Sequence, residues 1–169
     1  MTLRLAEIRD LAYRFVPTSA ADRRLYERGP RSWWPAHEIG HFLVATPAEC
    51  GQFMFGLVTY AARDTTLRYV IPREIAATLI SQRLLRRSGH AALADEEIQY
   101  TDEATLECSF ERWCKRSVEK LLRANKALRL PTTRQGLEVL LTRKAREAGT
   151  TYYPSRRAAN RSRQACQTS

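Results

Sequence analysis

"WWPAHEIGHFLVATPAEC", residues 33–50, carries two of the three histidines in a chain of 169 residues. Trp33, Trp34 and Pro35 lead into the pair, and Phe42, Leu43 and Val44 follow it. "PAHEIGHFLVA" therefore reads as a largely buried helix. Thr46-Pro47-Ala48-Glu49 has the form of a fresh helix start, with Thr as cap, Pro at the first position and Glu three residues after the cap. The histidine helix then ends near Ala45. His37 and His41 are four residues apart, which puts them one turn apart on one face. Two imidazoles so placed can reach one ion. Glu38 lies about 100° round the helix from His37, so its carboxylate stands beside that ion without binding it. Gly40 costs about 1 kcal/mol of helix propensity relative to Ala. It suits a helix that another backbone passes closely.

The His-Glu-x-x-His spacing has a chemical reason. Zinc polarises a water and lowers its pKa towards neutrality; a carboxylate beside it takes the proton and passes it to the leaving amine. Such a site needs a third protein ligand. "HFLVATPAE" contains no further histidine, which leaves Glu74, His90, Asp102, Glu103 and Glu107 downstream. Glu74 falls in the first turn of a helix, 33 residues after His41. Its face carries Ala77, Thr78 and Ser81, all small, so this helix can pack close to the histidine helix. An acid at a helix start also stabilises the helix dipole without any metal. His90, beside Gly89, reads as a cap-region histidine. Asp102 and Glu103 read as helix-start acids, either of which could replace Glu74 as ligand or accept an imidazole N–H. Cys108 and Cys114 could join the two histidines in a structural zinc site, but their spacing fits no compact zinc module.

Outward from this stretch the chain is mainly helical by periodicity. "LRLAEIRDLAYRF" repeats Leu5, Ile8, Leu11, Ala12 and Phe15 at helical spacing. "TSAADRRLYERG" reads as a short helix closed by Gly29. "PREIAATLISQRLLRRSGH" is a strong helix, with Pro72 near its start and Gly89 as its stop. "DEEIQYTDEATLECSFERWCKRSVEKLLRANKAL" holds a long helix that begins at Thr101 or Asp102. "PTTRQGLEVLLTRKAREAG" is a last helix, opened by Thr132-Thr133-Arg134-Gln135. "QFMFGLVTYAA" and "LRYVIP" are candidate strands, rich in β-branched and aromatic residues. The fold class expected is mainly α, an α+β domain with at most a small two- or three-stranded sheet.

Composition bounds the function. The chain is long enough for one domain with a core. No run approaches the roughly eighteen apolar residues of a membrane span, and the N-terminus mixes charge into every turn, unlike a secretory signal. Four cysteines at irregular spacing, with no CxxC pair, point to reduced thiols and a cytoplasmic protein. The net charge of +10 is uneven: residues 1–110 carry 13 Lys/Arg against 14 Asp/Glu, and residues 111–169 carry 15 against 4. That asymmetry suggests an acidic partner for the back of the chain, nucleic acid being the usual one, although a basic terminus also serves solubility. The tail "TTYYPSRRAANRSRQACQTS" has almost no aliphatic residue to bury and reads as disordered. Its two tyrosines and four arginines could stack on bases and hold phosphates.

"AHEIGHFLV", followed about thirty residues on by "REIAATLISQRLL", resembles the ImmA/IrrE-type metallopeptidases and, more broadly, the small gluzincins. The resemblance covers roughly residues 34–86. It implies a zincin-like metal helix packed on a second helix, with His37 and His41 as zinc ligands, Glu38 as general base and Glu74 as third ligand. It also implies peptidase activity on a protein substrate, often a regulatory one. The organisation expected is a metallopeptidase domain over residues 1–130, a C-terminal helix over 131–149 and a basic tail over 150–169. A reading from a different class stands beside it: a non-catalytic protein whose metal helix is structural or vestigial, and whose basic C-terminus binds nucleic acid or another acidic partner.

Overall fold

A computed structural model of the chain describes residues 2–16, 32–45, 64–101, 103–124 and 129–147, with the backbone alone for 64–70 and 104. Seven helices lie among the described residues: α1 (Leu5–Phe15), α2 (Trp34–Val44), α3 (Asp64–Arg87), α4 (Ala91–Ile98), α5 (Glu103–Ser109), α6 (Arg112–Ala124) and α7 (Arg134–Glu147). No strand occurs among these residues. The expected helix over 18–29, the turn at 46–49, the candidate strand over 52–62, Asp102 and the tail over 150–169 lie outside them.

The long helix α3 is the hub. It packs on α2, α4, α5 and α6, while α1 packs on both α2 and α7. The apolar stripes meet in one core. Ile8 and Leu11 of α1, Ile39 and Leu43 of α2, Ile80, Leu84 and Leu85 of α3, and Leu137 and Leu141 of α7 are essentially inaccessible to solvent. Burying such a side chain contributes roughly 1.5–3 kcal/mol, so this core can hold the helices in register. The first and last described helices are tied together. Leu3 N–H donates to the Thr132 carbonyl at 3.0 Å, and Arg14 pairs with Glu138 and Arg134 with Asp10 across the α1–α7 seam.

Local signals set most helix ends. Glu7 closes a capping box at the start of α1, accepting from Arg4 N–H at 2.9 Å. A proline in the first turn opens α2, which ends where Ala45 turns extended. Gly89, at φ +82°, ends the turn after α3 in the left-handed region that a Cβ disfavours. Thr133 caps α7 through its Oγ1, which accepts from Gly136 N–H at 3.1 Å.

Two expectations are corrected. "LRYVIP" is not a strand: α3 begins at Asp64 and runs through it, so Pro72 lies inside the helix and not at its start. A short apolar run does not distinguish strand from helix by periodicity. Pro72 forgoes the bond to the carbonyl of residue 68, a cost of about 3 kcal/mol. Its ring is fully buried and Ile71 beside it nearly so, so tertiary packing overrides local propensity. The single long helix from Thr101 or Asp102 is also two helices, broken at Phe110 and Glu111. There the Phe110 and Glu111 N–H groups reach back only three residues, to Glu107 and Cys108, at 3.3 and 3.0 Å. Ser109 Oγ donates to the Leu106 carbonyl at 2.5 Å, so a side chain competes for the helical ladder where it fails.

Candidate metal centre

Helix α2 presents His37 and His41 towards α3, with 6 % and 7 % of their surface exposed. Glu74 comes from α3, one turn before the point where the two helices cross. That crossing is very close. A Cβ added to Gly40 would stand 2.3 Å from the Ala77 carbonyl oxygen and 2.9 Å from Ala77 Cα. Only glycine on one helix and a small residue on the other allow this contact. Ala77, one of the small residues expected on this face of α3, makes the contact.

The consequence is a convergent cluster. His41 Nε2 lies 3.0 Å from His37 Nε2. Glu74 Oε2 lies 3.2 Å from His37 Nε2, and Glu74 Oε1 lies 3.0 Å from His41 Nε2. Three donor atoms bonded to one tetrahedral zinc at about 2.0–2.1 Å stand about 3.3 Å apart. The observed spacings are within a few tenths of an ångström of that. Among the described residues these three side chains form a group able to hold a metal ion. The donor set also fits the ion chemically. A single proton on His37 Nε2 cannot satisfy both Glu74 and the facing His41 nitrogen, whereas one cation would satisfy all three atoms. A His-His-Glu cluster on packed helices is a zincin-like metal-binding arrangement in its general form.

Behind His37 stands a residue that the sequence reading did not single out. His37 Nδ1 lies 2.8 Å from Glu97 Oε1, and Ser81 Oγ donates to Glu97 Oε2 at 2.7 Å. Glu97 is only 3 % exposed. A buried carboxylate accepts a hydrogen bond from Nδ1–H, which orients the ring and leaves Nε2 facing the cluster. The chain achieves this by reversing at Gly89, so that the last turn of α4 comes back alongside Ser81 of α3. Glu97 is placed as expected of a second carboxylate, but five and six residues earlier than the acids considered for that role. Its signal was present: in "AALADEEI" it sits three residues after Ala94, on the buried face of α4.

Electrostatics follow from this crowding. Burial works against a charge on His37, but hydrogen bonds and charges from Glu74 and Glu97 outweigh it and hold its pKa at about 9. For Glu74, too, burial favours the neutral acid. The hydrogen bonds and charges of the two imidazoles overcome that, keeping its carboxyl well below the usual carboxylate range.

The other candidates are elsewhere. Glu103 and Glu107 are exposed on α5. His90 caps the start of α4, and its buried Nε2 has no partner among the described residues. Cys114 is in the hydrophobic core, where burial, with Cys108 nearby, pushes its thiol pKa up. Neither cysteine belongs to the cluster. Glu38 is half-buried on α2, one turn after Trp34 and on the same stripe of the helix. A cavity of about 290 Å³ opens beside the cluster, with His37, Glu74 and Glu97 in its wall and Trp33, Trp34 and Tyr100 around it. No described helix is long and apolar enough to cross a membrane. Against known proteins the chain stands apart: no family model matches it, and neither does any curated protein or solved structure.

Proposed function

We propose that this chain is a zinc-dependent peptidase of the minimal gluzincin kind, hydrolysing a peptide bond in a protein substrate. The observation that carries the reading is the convergence of three side chains among the described residues, His37, His41 and Glu74, with donor atoms 3.0–3.2 Å apart and a cavity at their side. Structural zinc sites are closed by four protein ligands; catalytic ones keep a position open. The resemblance of "AHEIGHFLV" and "REIAATLISQRLL" to ImmA/IrrE-type metallopeptidases points the same way.

His37, His41 and Glu74 would hold the ion. Zinc bound there supplies Lewis acidity to a water and to the carbonyl of the bond to be broken. Glu38 accepts a proton from the attacking water and delivers it to the leaving nitrogen as the C–N bond breaks. The water's hydroxyl goes to the carbonyl carbon, so acid and amine products balance. Glu97 acts through His37, holding the Nδ1 proton so that Nε2 remains a ligand. Ser81 keeps Glu97 in place.

The test is metal content together with one conservative variant. Protein purified without chelator in zinc-replete medium is expected to carry about one equivalent of zinc, lost in His37→Ala and His41→Ala. Glu38→Gln is expected to keep the zinc and the fold but lose hydrolysis of a denatured-protein substrate by a factor of at least 100, because Gln cannot accept the proton. Wild-type protein without metal above background, or Glu38→Gln with undiminished hydrolysis, ends this reading.

A further inference from the structure

The cavity beside the cluster has a chemistry of its own. Two of its walls are aromatic. Trp34 lies over the His37 ring, with centroids 5.3 Å apart and planes 34° apart, and Tyr100 packs on Trp33 at 5.4 Å. Thr78, Thr101 and Thr105 complete the lining. An apolar cavity of about 150 Å³ holds a benzene ring, so about 290 Å³ has room for an aromatic side chain and some of its main chain.

Charge decides between side-chain classes. The cavity wall contains two carboxylates, Glu74 and Glu97. Both are engaged: Glu74 with the two imidazoles, Glu97 with His37 and Ser81. With a divalent ion on the cluster and neutral imidazoles, the ion's two positive charges balance the two carboxylates of the cavity wall, which Glu38 does not line. A charged side chain of either sign would lose its hydration on entering and find no uncompensated partner. An aromatic ring loses no charge hydration and gains ring contacts beyond the area it buries. Tyr100 itself is 45 % exposed, so this wall is open to an arriving ring.

We infer that the cavity walled by Trp34 and Tyr100 is the subsite that selects an uncharged aromatic side chain of the substrate, next to the bond that is cut. The inference rests on the peptidase reading, and the experiment separates the two. The zinc-loaded protein is titrated calorimetrically with the hydroxamates of N-acetylated phenylalanine, alanine, aspartate and lysine. The hydroxamate group tests the open metal position, and the side chain tests the cavity. The phenylalanine compound is expected to bind at least tenfold more tightly than the alanine compound, and the aspartate and lysine compounds no better than alanine. Tyr100→Ala removes one wall and Thr101→Phe occupies the space. Each is expected to reduce the phenylalanine preference over alanine to within about threefold. Equal binding of all four compounds overturns the subsite and leaves the metal reading standing. Tighter binding of the lysine or aspartate compound overturns the aromatic assignment. Binding of none, with zinc present, overturns the open metal position and the subsite with it.

Discussion

Where α2 crosses α3, the backbones nearly touch and the polar groups are buried or, for Glu74, half-buried: two imidazoles, Glu74, Glu97 and the Ser81 hydroxyl stand within one connected set. Where α1 meets α7, leucines fill the core and the charged groups lie outside it, as the exposed pairs Arg14–Glu138 and Arg134–Asp10. Both seams join helices distant in sequence. Only the first commits its polar groups to one geometry. A buried donor or acceptor that loses its partner costs about 1–3 kcal/mol, whereas an exposed ion pair contributes about 0–1 kcal/mol because water replaces it. Removing single groups should therefore have very different effects at the two seams.

The largest effect is expected at Glu97. Glu97→Ala strands the Nδ1–H of His37 and the hydroxyl of Ser81 in a dry interior, and is expected to cost about 3–5 kcal/mol in urea unfolding. A loss under about 1 kcal/mol would mean that the buried set does not hold the crossing. Glu97→Gln keeps the shape but offers one oxygen where two were used. In the zinc-loaded protein it is expected to weaken zinc binding about 10–100-fold, read by competition with a chromogenic chelator.

Gly40→Ala comes next. Alanine favours the helix by about 1 kcal/mol, but its Cβ would meet a backbone oxygen at 2.3 Å, and backbone cannot move aside as a side chain can. Overpacking of this kind costs about 1–3 kcal/mol or more, so the net sign is destabilising. A fall in Tm of several degrees is expected, together with loss of zinc as the helices separate. A variant as stable as the parent would show that the helices can part without cost.

A pH titration sharpens the contrast without mutation. In chelator-treated protein, burial opposes a proton on His37, but Glu74 and Glu97 keep it there, raising the pKa from 6.5 to about 9. The stabilisation this brings is fully present below about pH 6.5 and lost as pH rises through about 9. Chelated protein should lose stability across that window. Zinc-loaded protein should not, because a bound ion keeps the imidazole neutral throughout. Parallel curves for the two forms would contradict the ligand assignment of His37.

The smallest effect belongs to the α1–α7 seam. In a double-mutant cycle of Arg14→Ala and Glu138→Ala the coupling is expected at or below about 1 kcal/mol, and to shrink in high salt. A coupling of several kcal/mol would erase the distinction between the seams.

Much of the His-His-Glu cluster was legible in the sequence because its spacing is local. His37 and His41 share a helix, and one turn is a fixed geometry. Glu74 could be reached from the small face of Ala77, Thr78 and Ser81, since close packing depends on the absence of side-chain bulk. Glu97 was not found, because its role depends on a reversal at Gly89 and on the pairing of α4 with α3. No periodicity within one segment records such a contact. Helix α4 went unread for the same reason: eight residues rich in Ala and acids have no apolar stripe strong enough to declare themselves. The helical course of "LRYVIP" was hidden by its composition, and the break at Phe110 by a helical pattern that continues on both sides of it.

The seam between α1 and α7 sets an order of events during synthesis. Its partners are 124 residues apart, whereas the described groups of the His-His-Glu cluster and its cavity all lie between Trp33 and Thr105. As the chain leaves the ribosome, α1 emerges before the other described helices, and part of its apolar stripe must wait for Leu137 and Leu141, among the last described residues to appear. The cluster can assemble on the growing chain before that, since its contacts close over shorter loops. A helix made early is thus among the last of the described helices to be fully covered. In the interval part of its Ile8 and Leu11 face stays open to whatever attends the nascent chain.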